Sequence, residues 1–426
     1  MDPAERPSAT KPGPQALLPT GHKDLQYLLK LPRSPLLSYL RKQVQPVKPV
    51  PKSPLSGPIN FPALAAFAST RIFRWVPEYV FHRIGRRHKF VTYPASEPEL
   101  GVYQLKDGTE ETRLALAGDW TSGTDEAASV ANHIAVFDPH YTIHLGDVYY
   151  VGGRSETGEN FLGIDNPYNH YKPCRWPSGS LGSFALNGNH EMYALGKAYF
   201  DEMLPALGAI KDGQPEGQRA SFFCLENEHW RIIALDTGYK AIGIPVLEYF
   251  WPPDCGLPAQ VLQWLHRIVQ RDRRATILLS HHNYFSRYDA AYPRQAVQLK
   301  EFFAEHPVLW FWGHEHRLMI YKEYRVGAGI SAFGRCIGHG GMPVEVPSEV
   351  KDSNCPVEFE DSRLYPNDEN LTLGYNGFAT LVFNGNQLEV RYIDIFGDTV
   401  FSEQWAARDG VLTRTASGVG VAAPVR

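Results

Sequence analysis

Five short stretches of this chain end in residues that can bind a metal or move a proton. They are Gly118-Asp119, Gly146-Asp147-Val148-Tyr149-Tyr150, Asn187-Gly188-Asn189-His190-Glu191, His281-His282-Asn283 and Gly313-His314-Glu315-His316. Their carboxylate, amide, phenol and imidazole groups are oxygen and nitrogen donors suited to iron, zinc or manganese. One Gly-Asp pair alone more often marks a turn or a helix cap, and one histidine alone a satisfied structural residue. Five such tips in one chain imply a shared site. Two metal ions about 3.5–4 Å apart need a bridging carboxylate and several terminal ligands. Asp147, after the central run, is the natural bridge. Paired ions would polarise a phosphoryl oxygen, generate a hydroxide near neutral pH and steady the leaving oxygen.

The elements that must position these residues are apolar runs just before each tip. Arg113–Ala117, Tyr141–His144, Ser183–Leu186, Ala275–Ser280 and Pro307–Trp312 read as short buried strands. Ligands at the carboxyl ends of such strands are where α/β proteins place their sites. Helices are expected over Asp125–Phe137, Lys197–Leu207, Leu257–Arg271 and Gln295–His306, and a hairpin over Ser221–Leu225 and His229–Leu235. Residues 151–180 read as a long polar loop, usually a functional feature inside a compact domain. After His316 come Leu318–Val326, an irregular insert, and a β-rich end: Gly377–Phe383, Leu388–Ile395 and Thr399–Trp405, joined by Asn384-Gly385-Asn386 and Phe396-Gly397-Asp398 turns.

Composition narrows the function. The 426 residues, 43% apolar and 12% aromatic, hold ample core. Residues 1–100 carry 15 Lys and Arg against 6 Asp and Glu, a balance of +9, and the remainder carries −13. That acidic body disfavours a polyanionic substrate, so no nucleic-acid partner is expected. Cys174, Cys224, Cys255, Cys336 and Cys355 lack paired spacing, which favours a reducing compartment over a disulfide framework or a zinc-thiolate site. The amino-terminal residues lack the apolar core of a secretion signal, and no run of about 20 apolar residues exists. The expected location is therefore cytoplasmic. Residues 1–60 contain 12 prolines and read as an extended arm. Residues 61–90 mix Phe67, Phe73 and Trp75 with Arg71, Arg74, Arg83, Arg86, Arg87 and Lys89. Two readings compete there: helices packed on the catalytic domain, and peripheral contact with an anionic membrane surface. The expected division is a basic extension (1–100), a catalytic domain (101–410) and a tail (411–426).

Taken in order, Gly118-Asp119, Gly146-Asp147 with Tyr150, Gly188-Asn189-His190-Glu191, His281 and Gly313-His314 with His316 resemble the five signature blocks of calcineurin-like metallophosphoesterases. A tyrosine three residues after the second aspartate is similar to the purple acid phosphatase version. The resemblance covers residues 118–316 and implies a four-layer α/β/β/α sandwich of two mixed sheets flanked by helices. It implies that Asp119, Tyr150 and His316 hold one metal, that Asn189, His281 and His314 hold the other, and that Asp147 bridges. The cofactors it implies are iron with iron, zinc or manganese. His190 would be unligated and catalytic, holding the phosphoryl group or protonating the leaving oxygen while a metal-bound hydroxide attacks. Many relatives have a histidine two residues after the first aspartate, where this chain has Thr121. The resemblance to purple acid phosphatases also stops short of their secretion signal and, in plant forms, an extra amino-terminal β-domain.

Secondary candidates for substrate contact are Asn187, His170, Arg175, Tyr193, His282 and His339, each on or beside a loop expected to face the site. The expected substrate is a phosphate ester, hydrolysed by a phosphomonoesterase or a phosphodiesterase. The rival from another class is a non-catalytic adaptor acting through the amino-terminal arm; the full set of ligand types argues against it.

Overall fold

The apolar runs pair into two sheets whose inner faces share one core. The computed structural model describes residues 85–420 apart from 98, 107–109, 166–172, 242–252, 254, 346–349 and 364–372. Five strands carry the site: β1 (Thr112–Ala117), β2 (Tyr141–His144), β3 (Gly182–Ala185), β4 (Ala275–Ser280) and β5 (Val308–Trp312). β1, β2 and β3 are adjacent and parallel in a nine-stranded sheet, and β4 and β5 are adjacent and parallel in an eight-stranded one. Each sheet also contains antiparallel pairs, so both are mixed. All five are buried along nearly their whole length, as strands covered on both faces must be.

Leu114, Leu116, Ile143 and Phe184 from one sheet meet Ile232, Ile277, Leu279 and Phe311 from the other in the central core. Helices cover the outer faces. Helix α1 (Asp125–Phe137) buries Ala127, Val130, Ala131 and Ile134, the i, i+3, i+4, i+7 spacing of one helical face. Thr124 caps it by accepting the Ala127 amide, and Asp125 and Glu126 lie in the first turn, where the helix dipole favours acids. On the opposite side α2 (Ala259–Val269) buries Val261, Trp264, Leu265 and Ile268. The result is the expected α/β/β/α sandwich.

Several boundaries differ from the sequence expectation. Lys197–Leu207 holds a π turn (Tyr199–Met203) and a 3₁₀ turn (Leu204–Ala206), with Pro205 unable to continue the hydrogen-bond ladder. Gln295–His306 is instead two short helices, Pro293–Gln298 and Lys300–Phe303. The insert after Val326 contains Ala332–Ile337, which pairs in parallel with β5 and antiparallel with Leu318–Tyr324. The presumed tail begins with a strand, Val411–Val419, on the edge of the nine-stranded sheet. At the other end, Tyr93 donates to the Phe222 carbonyl at 2.7 Å, so the described end of the basic extension packs on the domain. Most of residues 61–90 lies outside the described residues.

Candidate metal centre

The loops leaving β1, β2, β3, β4 and β5 converge where the two sheets meet. Gly118 and Gly313 approach so closely that a Cβ on Gly118 would lie 2.9 Å from the Gly313 Cα, and one on Gly188 would lie 2.0 Å from Asp147 Oδ1. Three residues at this point, Asp119, Asp147 and His314, have left-handed backbone, with φ of 56°, 73° and 67°. Non-glycine residues rarely adopt it, and such strain clusters at functional sites.

Asp119 and Asp147 are both almost wholly buried, at 0% and 1% exposure. The Tyr149 hydroxyl lies between them, 2.7 Å from Asp119 Oδ1 and 3.1 Å from Asp147 Oδ2, and 2.8 Å from His316 Nε2. Main-chain amides hold the carboxylates: His314 N donates to Asp119 Oδ2 at 2.7 Å, and His190 N to Asp147 Oδ1 at 3.1 Å. His281 Nε2 is 3.3 Å from Asp147 Oδ1 and 3.2 Å from Asn189 Oδ1. Its Nδ1 lies 2.9 Å from the Leu145 carbonyl, which can only accept, so Nδ1 carries the proton and Nε2 turns inward. Asn189 donates its amide to Tyr193 Oη at 2.9 Å, which points its oxygen the same way.

The donor chemistry fits cations. Asp119, Asp147 and His281 place one donor atom each within 4.8 Å of one another, and so do His281, His282 and His314. Among the described residues the two aspartates ion-pair with imidazoles, not with Lys or Arg. Burial lowers the pKa of His314 to about 4, leaving a neutral ring with a lone pair to give. Burial also lowers that of His281, but the Asp147 carboxylate outweighs it and raises the ring to about 9, so a proton stands where a cation would be equally welcome. Burial and the two carboxylates push the Tyr149 phenol well above its usual range, so ionising it calls for a positive ion between them.

Residues 112–318, which contain every one of these donors, match the family model for calcineurin-like phosphoesterases. The match covers just under half of the 426 residues, so this stretch is similar to the calcineurin-like phosphoesterases. Among solved structures, the chain is similar to a purple acid phosphatase of yellow lupin (Lupinus luteus), with 14% identity, 69% of this chain and 53% of that one covered, and a TM-score of 0.41. It is also similar to GAP50 of Plasmodium, described as the anchor in the inner membrane complex, with 14% identity, 70% and 89% covered, and 0.45. A third similar structure is PhoD, with 13% identity, 73% and 72% covered, and 0.43. The chain thus spans about half of the lupin enzyme. No curated protein matches it.

Within residues 112–318 the expected ligands Asp119, Asp147, Asn189, His281, His314 and His316 come together, but the phenol among them is that of Tyr149, not Tyr150. The loop decides this. Tyr149 N donates to the Thr121 carbonyl at 3.0 Å, while the Glu156 carboxylate takes the amides of Tyr150, Val151 and Gly153. The Tyr150 ring lies edge-on to His190 at 5.5 Å, and its carbonyl accepts from His190 Nδ1 at 2.6 Å. His190 Nε2 therefore faces Asp147 Oδ2, at 3.7 Å, from a ring that is 13% exposed.

The secondary candidates scatter. Asn187 is buried and pairs with Asp236 at 3.1 and 3.2 Å with its amide turned to donate. Tyr193 holds Asn189 as described. Arg175 is exposed, at an isolated bridge to Leu162. His339 is buried beside Gly377, whose Cβ, if present, would meet its Nε2 at 2.9 Å. His282 is buried against His281 and His314. His170 lies outside the described residues.

Two supporting residues escape sequence reading. His144 accepts the Gly146 amide on Nδ1 at 3.2 Å and so donates from Nε2 to Thr121 Oγ1 at 3.0 Å. Glu191 accepts the amides of Gly188 (2.8 Å) and Asp147 (3.2 Å), tying two ligand loops together. Only the acidic fourth position of Gly188-Asn189-His190-Glu191 hinted at it.

Proposed function

We propose that this domain hydrolyses phosphate monoesters at a centre of two metal ions, iron with iron, zinc or manganese. The observation that carries the reading is the convergence of Asp119, Asp147, Asn189, His281, His314 and His316 from strands of both sheets. When bound, the ions would supply Lewis acidity toward the phosphoryl oxygens and lower the pKa of water. Asp119, Tyr149 and His316 would hold one ion and Asn189, His281 and His314 the other, with Asp147 shared. His190, locked by the Tyr150 carbonyl, presents Nε2 to the mouth of the site, where it can hydrogen-bond a phosphoryl oxygen or pass a proton to the leaving oxygen. Elemental analysis of active protein, with turnover of p-nitrophenyl phosphate against its bis-ester, tests this. Fewer than two ions per active chain would end the dinuclear reading, and faster turnover of the diester would replace monoester by diester.

A second reading concerns location. The +9 balance of residues 1–100 and the aromatic–arginine mixture of 61–90 favour contact with an anionic surface. No helix among the described residues is long and apolar enough to cross a membrane. Under this reading the full chain pellets with anionic liposomes at low salt and is released as salt rises. A chain that stays in the supernatant at low salt refutes it.

A further inference from the structure

We propose that His282 is itself a ligand of the second metal, so that this subsite holds three imidazoles, His281, His282 and His314, where the family resemblance implies two. The inference rests on the dinuclear reading and deepens it. His282 is fully buried, and its Nε2 has no hydrogen-bond partner among the described residues. Buried polar atoms are nearly always satisfied, and an orphan calls for a missing group. Its surroundings name that group. The ring centroid lies 4.9 Å from that of His281 and 4.8 Å from that of His314, and one ring nitrogen of each of the three falls within 4.8 Å of the others.

The other half of the ring is prepared for ligation. Nδ1 lies 3.1 Å from Thr237 Oγ1, and the same oxygen accepts the His282 main-chain amide at 3.1 Å. Gln295 donates to the His282 carbonyl at 3.1 Å, fixing the residue from the opposite side. A histidine with one nitrogen on a hydroxyl or carbonyl and the other bare is the arrangement by which proteins orient metal ligands. Packing alone does not require a histidine here, since a buried apolar side chain would leave no nitrogen orphaned. Three imidazoles favour zinc or iron at this subsite over magnesium or calcium, which prefer oxygen.

The test uses the full chain stripped with a chelator and titrated with Co²⁺, followed by calorimetry and by visible absorption. Wild type takes up two ions. His282→Ala keeps the first affinity and loses the second by more than about 100-fold, beyond the roughly 10–100-fold that removing an orienting partner costs. Thr237→Val weakens the second ion within that range. A folded His282→Ala protein that binds both ions with wild-type affinities and spectrum overturns the inference. If that variant fails to fold, Thr237→Val decides, and an unchanged second affinity overturns it equally. Wild type taking up fewer than two ions would instead overturn the dinuclear reading beneath it.

Discussion

At the scale of single residues, Asp147 is the most demanding position. It accepts from His190 N and from Tyr149, and faces His281. Asp147→Asn halves its donor capacity and removes the charge, so the variant should retain neither ion at wild-type affinity, as elemental analysis reads directly. His190 is different, because its Nδ1 is spent on a carbonyl and no ligand role is left for it in the proposed site. His190→Ala should lower kcat by roughly 10²–10⁴ with metal content near wild type; loss of metal would reverse the assignment. The tyrosines separate by colour. If the first ion is ferric, Tyr149→Phe should abolish a phenolate charge-transfer band that Tyr150→Phe leaves in place, and the opposite outcome would restore Tyr150 as the ligand. The aspartates and histidines were legible in the sequence because each closes an apolar run. The choice between adjacent tyrosines was not, since it depends on Thr121, brought in by another loop, and on how Glu156, in the helical turn that follows, takes the backbone amides of Tyr150, Val151 and Gly153. His144 was hidden for a related reason: inside a strand it reads as one more core residue.

At the scale of elements, the strand Ala332–Ile337 is the instructive omission. Gly334 and Arg335 interrupt what would otherwise look like an apolar strand, and both have tertiary causes. A Cβ on Gly334 would strike the Trp312 ring at 2.2 Å, so the residue is small to admit its neighbour. Arg335 is fully buried and donates from Nε and Nη2 to Glu403 at 2.8 and 2.5 Å, while Tyr392 donates to the same carboxylate at 2.8 Å. Arg335 belongs to the eight-stranded sheet and Glu403 to the nine-stranded one, so the pair joins them through the core. Helix α1, by contrast, was readable end to end, because its cap, first-turn acids and apolar spacing are all local. Removing one partner of a buried ion pair leaves an uncompensated charge and costs about 3–5 kcal/mol. Glu403→Ala should therefore unfold at clearly lower denaturant. The double variant Arg335→Met/Glu403→Leu should recover most of the loss. A double variant as unstable as the single one would show that the pair contributes through its charge and not merely by avoiding an orphan.

At the scale of the whole molecule, the proposed centre spans the sandwich. Asp119, Asp147 and Asn189 come from loops of the nine-stranded sheet, and His281, His314 and His316 from loops of the eight-stranded one. Ions held there would bind the folded domain and not the unfolded chain, whose ligands are up to 197 residues apart from Asp119 to His316. A ligand of this kind stabilises by mass action, about 2.7 kcal/mol at a concentration one hundred times Kd. For a domain of more than 300 residues that corresponds to a rise in Tm of roughly 3–5 °C. The Tm of the full chain should therefore climb with the logarithm of free metal and fall on chelation. The same titration on Asp147→Asn should be nearly flat, because the shared ligand is gone. Arg335 and Glu403 offer the control: their pair joins the same two sheets without metal, so a Glu403→Ala protein should start lower yet respond to metal by the same increment. A wild-type Tm indifferent to both metal and chelator would mean that the loops meet without a bound ion to join them.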